Sequence, residues 1–241
     1  MAMARELGCG IALARHSNHF GAVAPYSLLA ADAGYASIIG SNASTTIAPT
    51  GGREARLGNS PVAFCVPDPR GRPFLLDMAL SVVARAKIRE AAKAGRAIPD
   101  TWATDKDGQP TTDARAALDG VLLPAGGHKG YGLALAVDLF AGLISGGAYL
   151  THVRSWLDEP SEPSGLGHFF ILVDTRRLGS ADWLAHRMAD FASILRATPA
   201  ADPAKPVRVP GEMELANLER QRREGIEIAD AVLERLRAIA K

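Results

Sequence analysis

Arg15-His16-Ser17-Asn18-His19-Phe20-Gly21 is a polar, histidine-bearing junction between two apolar segments. Before it, Gly10-Ile11-Ala12-Leu13-Ala14 is a short apolar run that reads as a buried strand. After it, Gly21 to Ala33 reads as a helix, with Val23, Leu28, Leu29 and Ala33 on one face. The junction therefore marks the carboxyl end of a strand, where α/β sheets keep their ligand crevice. Either histidine could exchange a proton there near neutral pH. Ser17 or Asn18 could equally serve as a helix cap.

Working outward, helix and strand signals alternate. Tyr35 to Gly40, Pro61 to Val66, Pro73 to Leu76 and His168 to Val173 read as strands, the second and third joined by the turn Asp68-Pro69-Arg70-Gly71-Arg72. Ser81 to Gly95 reads as a helix that Gly95 stops. Ile98 to Leu118 is loop-rich, and Tyr131 to Ile144 is an apolar helix expected to be buried on most sides. Ala181 to Ala197 predicts an amphipathic helix with Trp183, Leu184, Met188, Phe191 and Leu195 toward the core. The Pro-rich connector Thr198 to Pro210 leads to closing helices over Glu212 to Arg223 and Ile226 to Ala240. The expectation is an α/β fold with a mixed sheet and flanking helices. Residues 1–241 form a single compact unit in this reading, with two interleaved subdomains as its finer form. Gly8-Cys9-Gly10 precedes a strand rather than following one, so the Rossmann fingerprint is missing, as is a P-loop.

A formal charge of +1 over 241 residues, without a basic stripe, argues against nucleic-acid binding. The longest apolar stretch, Leu133 to Ser145, is too short to span a bilayer. Cys9 and Cys65 have no metal-ligand spacing and sit in apolar runs, so both read as buried thiols. With no secretory signal at the start, a cytoplasmic protein is expected.

Three further features carry chemistry. His16 and His19 form an H-x-x-H pair, but a metal wants three or four ligands and no third is placed by spacing, so no metal is expected. Asp77 ends the strand Phe74-Leu75-Leu76, where it could accept hydrogen bonds from a ligand or cap a helix, while Met78 offers a soft apolar surface. Gly126-Gly127-His128-Lys129-Gly130-Tyr131-Gly132 precedes an apolar helix. Its glycines let backbone amides approach a phosphate, and Lys129 adds a positive charge.

HSNHFG (16–21), APTGG (48–52), LGNSPVAF (57–64), LLDMALS (75–81), IPDTWATDKDGQPTTD (98–113), LLPAGGHKGYGLAL (122–135) and VPGEMEL (209–215) occur in this order. Together they resemble the malate/L-lactate dehydrogenase family, which includes ureidoglycolate dehydrogenase and diketogulonate reductase. The resemblance implies a non-Rossmann fold, a homodimer, and NAD or NADP as hydride carrier for 2-hydroxy and 2-oxo acids or related cyclic imines. The family's catalytic histidine falls on His19. Its cofactor contacts fall on Ala43, Asp77, Met78, Ala79 and Lys129. Some relatives have a serine at the Ala43 position, so that side-chain bond is lost unless Ser41 or Ser44 replaces it. Asn59-Ser60-Pro61 stands where the family often has Thr-Asn-Pro. Members usually carry a segment ahead of the part matched by Met1, with a Ser-His motif and an arginine for the substrate carboxylate; neither is found here.

The resulting expectation is an oxidoreductase that moves a hydride between NAD(P) and C2 of a 2-hydroxy or 2-oxo acid, with His19 as proton donor and acceptor. The competing expectation is a truncated, catalytically silent relative that binds nucleotide or only dimerises.

Overall fold

The computed structural model describes residues 1–240. Its central sheet contains β1 (Cys9–Ser17), β2 (Tyr35–Ser41), β5 (Val62–Val66), β6 (Phe74–Met78) and β7 (Leu166–Asp174), ordered β1-β7-β2-β5-β6. A two-stranded ribbon pairs β3 (Thr45–Ile47) with β4 (Leu57–Gly58). The α/β class and flanking helices match the expectation, and the sheet is mainly antiparallel. Every neighbouring pair in the five-stranded sheet runs antiparallel. A lone parallel bridge joins Ile47 to Leu122.

Side chains alternate across this sheet with a period of two. One face carries Ile39, Ala63, Cys65, Phe170 and Leu172; α1 (Ala2–Leu7) and α2 (Ala24–Asp32) cover it. The other carries Ile38, Val62, Phe64, Phe169 and Ile171 against α5 (His128–Asp138). A further core, beside the ribbon, gathers Ile47, Ile88, Ile98, Ala103, Ala117 and Leu122. It is built by α3 (Arg85–Lys93) and α4 (Ala114–Asp119), the latter capped by Asp113 within the stretch that reads as loop-rich. Trp102 packs against that core.

Three expectations need correction. The apolar segment after Tyr131 is not buried on most sides. Helix α5 ends at Asp138 in a π turn over Leu139–Leu143, and Leu133, Leu139, Phe140, Leu143 and Ile144 are exposed. Only the Ala134, Val137 and Ala141 side reaches the sheet, because one helix on one sheet face can bury one stripe. In α6 (Ala181–Arg196), Trp183 and Phe191 are exposed, and only Ala185 is fully buried. Leu184, Met188 and Phe191 line an open groove with Phe74 instead of a core. Cys9 is exposed because β1 is an edge strand, whereas Cys65 is buried. Burial, reinforced by Asp32, pushes the Cys65 thiol up to about 11. Helices α7 (Glu212–Glu224) and α8 (Asp230–Ile239) close the chain, separated near Gly225 as the sequence suggests.

Candidate active site at one end of the sheet

The register puts the ends of all five strands of the central sheet in one row. Ser17 faces Leu166, His168 faces Ser41, Gly40 faces Val62, and Val62 faces Met78. The loops leaving β1, β2 and β6 therefore emerge at the same sheet end. These loops carry His19, Ala43 and Ala79, and Asp77 stands at the end of β6 itself.

His19 is exposed and lines a cavity of about 250 Å³. The Gly21 amide donates to its Nδ1 at 3.1 Å, which leaves the ring proton on Nε2 in this conformation. The Trp156 ring stands 6.2 Å away. The loop is held by its neighbours. Phe20 is stacked between Tyr26 at 4.7 Å and His168 at 4.1 Å, and Asn18 Oδ1 accepts from the Ser164 amide at 3.1 Å. His16 sits at an irregularity in β1 with φ 55°, is exposed, and does not line the cavity. Among the described residues, no group of three or more His, Cys, Asp or Glu side chains is placed to hold a metal ion.

Ala43 lines the same cavity. Ser41 is buried and already engaged: its hydroxyl donates to the Asn42 carbonyl at 2.9 Å and lies 2.8 Å from His168 Nδ1. Ser44 lines the cavity, so it is the serine available to replace a missing hydroxyl at position 43. Sequence reading did not single out His168, because a lone histidine in a strand carries no local signal. It is buried among aromatics, and burial, opposed by a hydrogen bond to the Asn18 backbone, lowers its pKa from the ordinary 6.5.

Asp77 pairs with Ala63, so its side chain belongs to the α2 face of the sheet. Its Oδ2 accepts from the Ala24 amide, the first residue of α2, at 2.7 Å. The carboxylate is thus a cap, but for a helix distant in sequence, and its second oxygen stays free for a ligand. Met78 points the other way, half-buried against the α5 core. The Leu80 amide donates to Asn59 at 2.7 Å, and the Leu80 carbonyl accepts from Ala125 at 2.9 Å. These bonds carry the chain from Asp77-Met78-Ala79 to the start of α5.

There, Gly126 and Gly127 have φ 69° and 64°, and open space surrounds both. No side chain caps α5, and exposed Lys129 lies in its first turn. Uncapped amides, bare glycines and a lysine fit the phosphates of a dinucleotide. The VPGE segment packs on β6 two residues before Asp77, where the Leu75 amide donates to the Pro210 carbonyl at 3.2 Å and Gly211 lies against Leu75.

Sequence reading also missed three arginines. Arg85, Arg89 and Arg154 line the His19 cavity, and no carboxylate lines it with them. They lie far from His19 in the chain, so only the fold unites them.

A sequence model of the malate/L-lactate dehydrogenase family matches residues 1–237. The chain is 35% identical to malate dehydrogenase of Pyrococcus horikoshii, over 99% of this chain and 67% of the relative. It is 38% identical to the (2R)-3-sulfolactate dehydrogenase (NADP(+)) of Chromohalobacter salexigens, over 99% of this chain and 69% of that protein. The structure of sulfolactate dehydrogenase from Methanocaldococcus jannaschii superposes with a TM-score of 0.89 at 34% identity, covering 99% of this chain and 68% of that one. The chain thus spans about two thirds of the length of these relatives. With this fold, a histidine cavity at one end of the sheet and an uncapped glycine-lysine helix start, the chain belongs to the malate/L-lactate dehydrogenase family of NAD(P)-dependent oxidoreductases.

Proposed function

We propose that the chain interconverts a 2-hydroxy acid and its 2-oxo acid, with His19 handling the proton on the C2 oxygen. The observation that carries this reading is the meeting of His19 and Ala43 in one cavity, at the sheet end that also bears Asp77. When bound, the nicotinamide supplies or accepts the hydride. Asp77, Ala79 and the Lys129 helix start hold the cofactor, and Met78 supports the strand end from the core side. A substrate oxygen in the cavity can accept a hydrogen bond from His19 Nε2–H. Full donation needs the imidazolium, whose Nδ1–H releases the Gly21 amide; after Nε2 gives up its proton, the ring is left neutral with its hydrogen on Nδ1. Gly21, at φ 88° and in open space, can absorb that change. In the oxidative direction the same Nε2 takes the alcohol proton.

His19→Ala tests the assignment. Turnover should fall by about 10²–10⁴-fold, with NADH affinity unchanged, and His16→Ala should do far less. Normal turnover in His19→Ala would remove it from the chemistry. Cofactor binding with no turnover of any 2-hydroxy acid by the unaltered chain would favour the silent relative.

The protein also reads as a homodimer. Exposed Ile11 and Leu13 on edge strand β1 lie beside the π turn with exposed Leu139, Phe140, Leu143 and Ile144. An apolar surface of this kind suits a two-fold interface. Sedimentation of a stable monomer at micromolar concentration would refute it.

A further inference from the structure

The His19 cavity holds more positive charge than one carboxylate can match. Its lining has three guanidinium groups and no Asp or Glu. Arg154 is already matched, paired with Glu162 and 3.9 Å from Glu159. Arg85 and Arg89 have no ion-pair partner among the described residues. Arg85 is half-buried and anchored on one side, donating to the Leu118 carbonyl at 2.5 Å. Arg89 is half-buried with no hydrogen-bond partner of its own among the described residues.

The two arginines are i and i+4 on α3, so their side chains share one helix face. Like charges at that spacing repel and destabilise a helix unless an anion lies between them. Burial, with the Arg89 charge beside it, lowers the pKa of Arg85, with Asp158 and Asp119 opposing from a distance. The helix does not need either charge for packing, since Ile88 and Ala91 make its buried contacts. Two forked donors facing a cavity suit bidentate capture of a carboxylate, sulfonate or phosphate.

We propose that Arg85 and Arg89 form an anion subsite that receives a second acidic group of the substrate, making the protein selective for dianionic 2-hydroxy acids. The role assigned to this second group rests on the reading of His19 as the proton-transfer residue. A monocarboxylic acid leaves one guanidinium unmatched, whereas a dicarboxylate or a sulfonated acid matches both. The subsite shares its cavity with His19, and although Ala43 also lines it, neither Asp77 nor Lys129 does, which favours substrate over the cofactor's phosphates as its occupant.

The test is calorimetric titration of L-malate and of L-lactate, with and without NADH, a pairing in which no hydride can move. Malate should bind at least about 10-fold tighter than lactate. Arg89→Ala should weaken malate by about 10–100-fold and lactate by less than about threefold, because it removes a charge-assisted pair made only by the second acid group. Arg89→Lys should fall between, keeping the charge and losing the fork. A thermal midpoint in Arg89→Ala equal to or above that of the unaltered chain, expected when a like charge is removed from α3, shows that the variant folds. Equal loss for both acids, or no loss for either, overturns the proposal. So does weakened NADPH binding with malate unaffected, which would give the subsite to the cofactor's phosphate. Binding without NADH keeps the two readings apart: if His19→Ala turns over normally while malate binding still depends on Arg89, the proton assignment fails and the anion subsite stands.

Discussion

Asp77 Oδ2 accepts a 2.7 Å hydrogen bond from the backbone amide of Ala24, tying the last turn of an edge strand to the first turn of α2. The bond satisfies an orphan amide and sets a negative charge at the positive end of the helix. Asp77→Ala should cost about 0.5–1 kcal/mol of stability, the lower range for a cap at an exposed position. Asp77→Asn should recover most of it, since its carboxamide oxygen still accepts. NADH fluorescence titration separates this structural part from the binding part. Affinity should fall in Asp77→Ala and remain near normal in Asp77→Asn; unchanged affinity in Asp77→Ala would leave Asp77 a cap alone.

Lys129 and Gly130 are adjacent but should fail differently. Lys129→Ala should weaken NADH or NADPH by about 1–3 kcal/mol through loss of a charge-assisted bond, with no change in stability. Gly130 is buried, and a β-carbon there would overlap the Ala125 carbonyl. Gly130→Ala should therefore cost roughly 1–3 kcal/mol in strain and also displace the start of α5. Equal thermal midpoints for wild type and Gly130→Ala would contradict that packing.

His168 should make the protein acid-sensitive. Burial holds its folded pKa below the ordinary 6.5 of the unfolded chain. Between the two values the unfolded chain binds a proton and the native state does not, so its contribution is complete above pH 6.5 and is lost as pH falls toward the folded value. The urea midpoint should drop between pH 7.5 and 5.5, and His168→Gln should lack that part of the drop. Because Phe20 stacks on His168, acid should also loosen the His19 loop. Identical pH profiles for the two proteins would show that His168 does not supply the effect.

The strands were legible because a strand covered on both faces leaves a short apolar run bounded by turn residues: Tyr35–Ser41 and Val62–Val66 differ from the expected spans by a residue at one end. Asp77 could be read as a candidate because it is a lone carboxylate at the end of an apolar run, and the Gly126–Lys129 turn because it breaks sharply from apolar to polar sequence. The distribution of exposure could not be read. Leu139, Phe140, Trp183 and Phe191 look like core residues in any periodicity, and only the number of layers decides that they face outward. Arg85, Arg89 and Arg154 were invisible as a site because arginine on a helix usually means a solvated face. Their convergence on His19 depends on how α3 docks, which no local pattern encodes.

The attachment of the last quarter of the chain has a mechanical consequence. Helices α6 and α7 each bury one residue fully, Ala185 and Leu215, and α8 buries none. Two exposed ion pairs, Arg70 with Asp182 and Arg72 with Glu219, tie α6 and α7 to the turn before β6, while Arg196 with Glu212 joins α6 to α7. Such pairs contribute little individually and are screened within about 3 Å at 1 M salt. The carboxyl-terminal helices should therefore open as a separate unit while the sheet stays folded, and raising salt should ease that opening. Trypsin should cut between Arg187 and Arg223 faster in 1 M than in 0.05 M NaCl, after correction for its rate on a free peptide, and leave a resistant fragment ending near Arg187. Cleavage spread evenly along the chain would mean that the closing helices and the sheet unfold together.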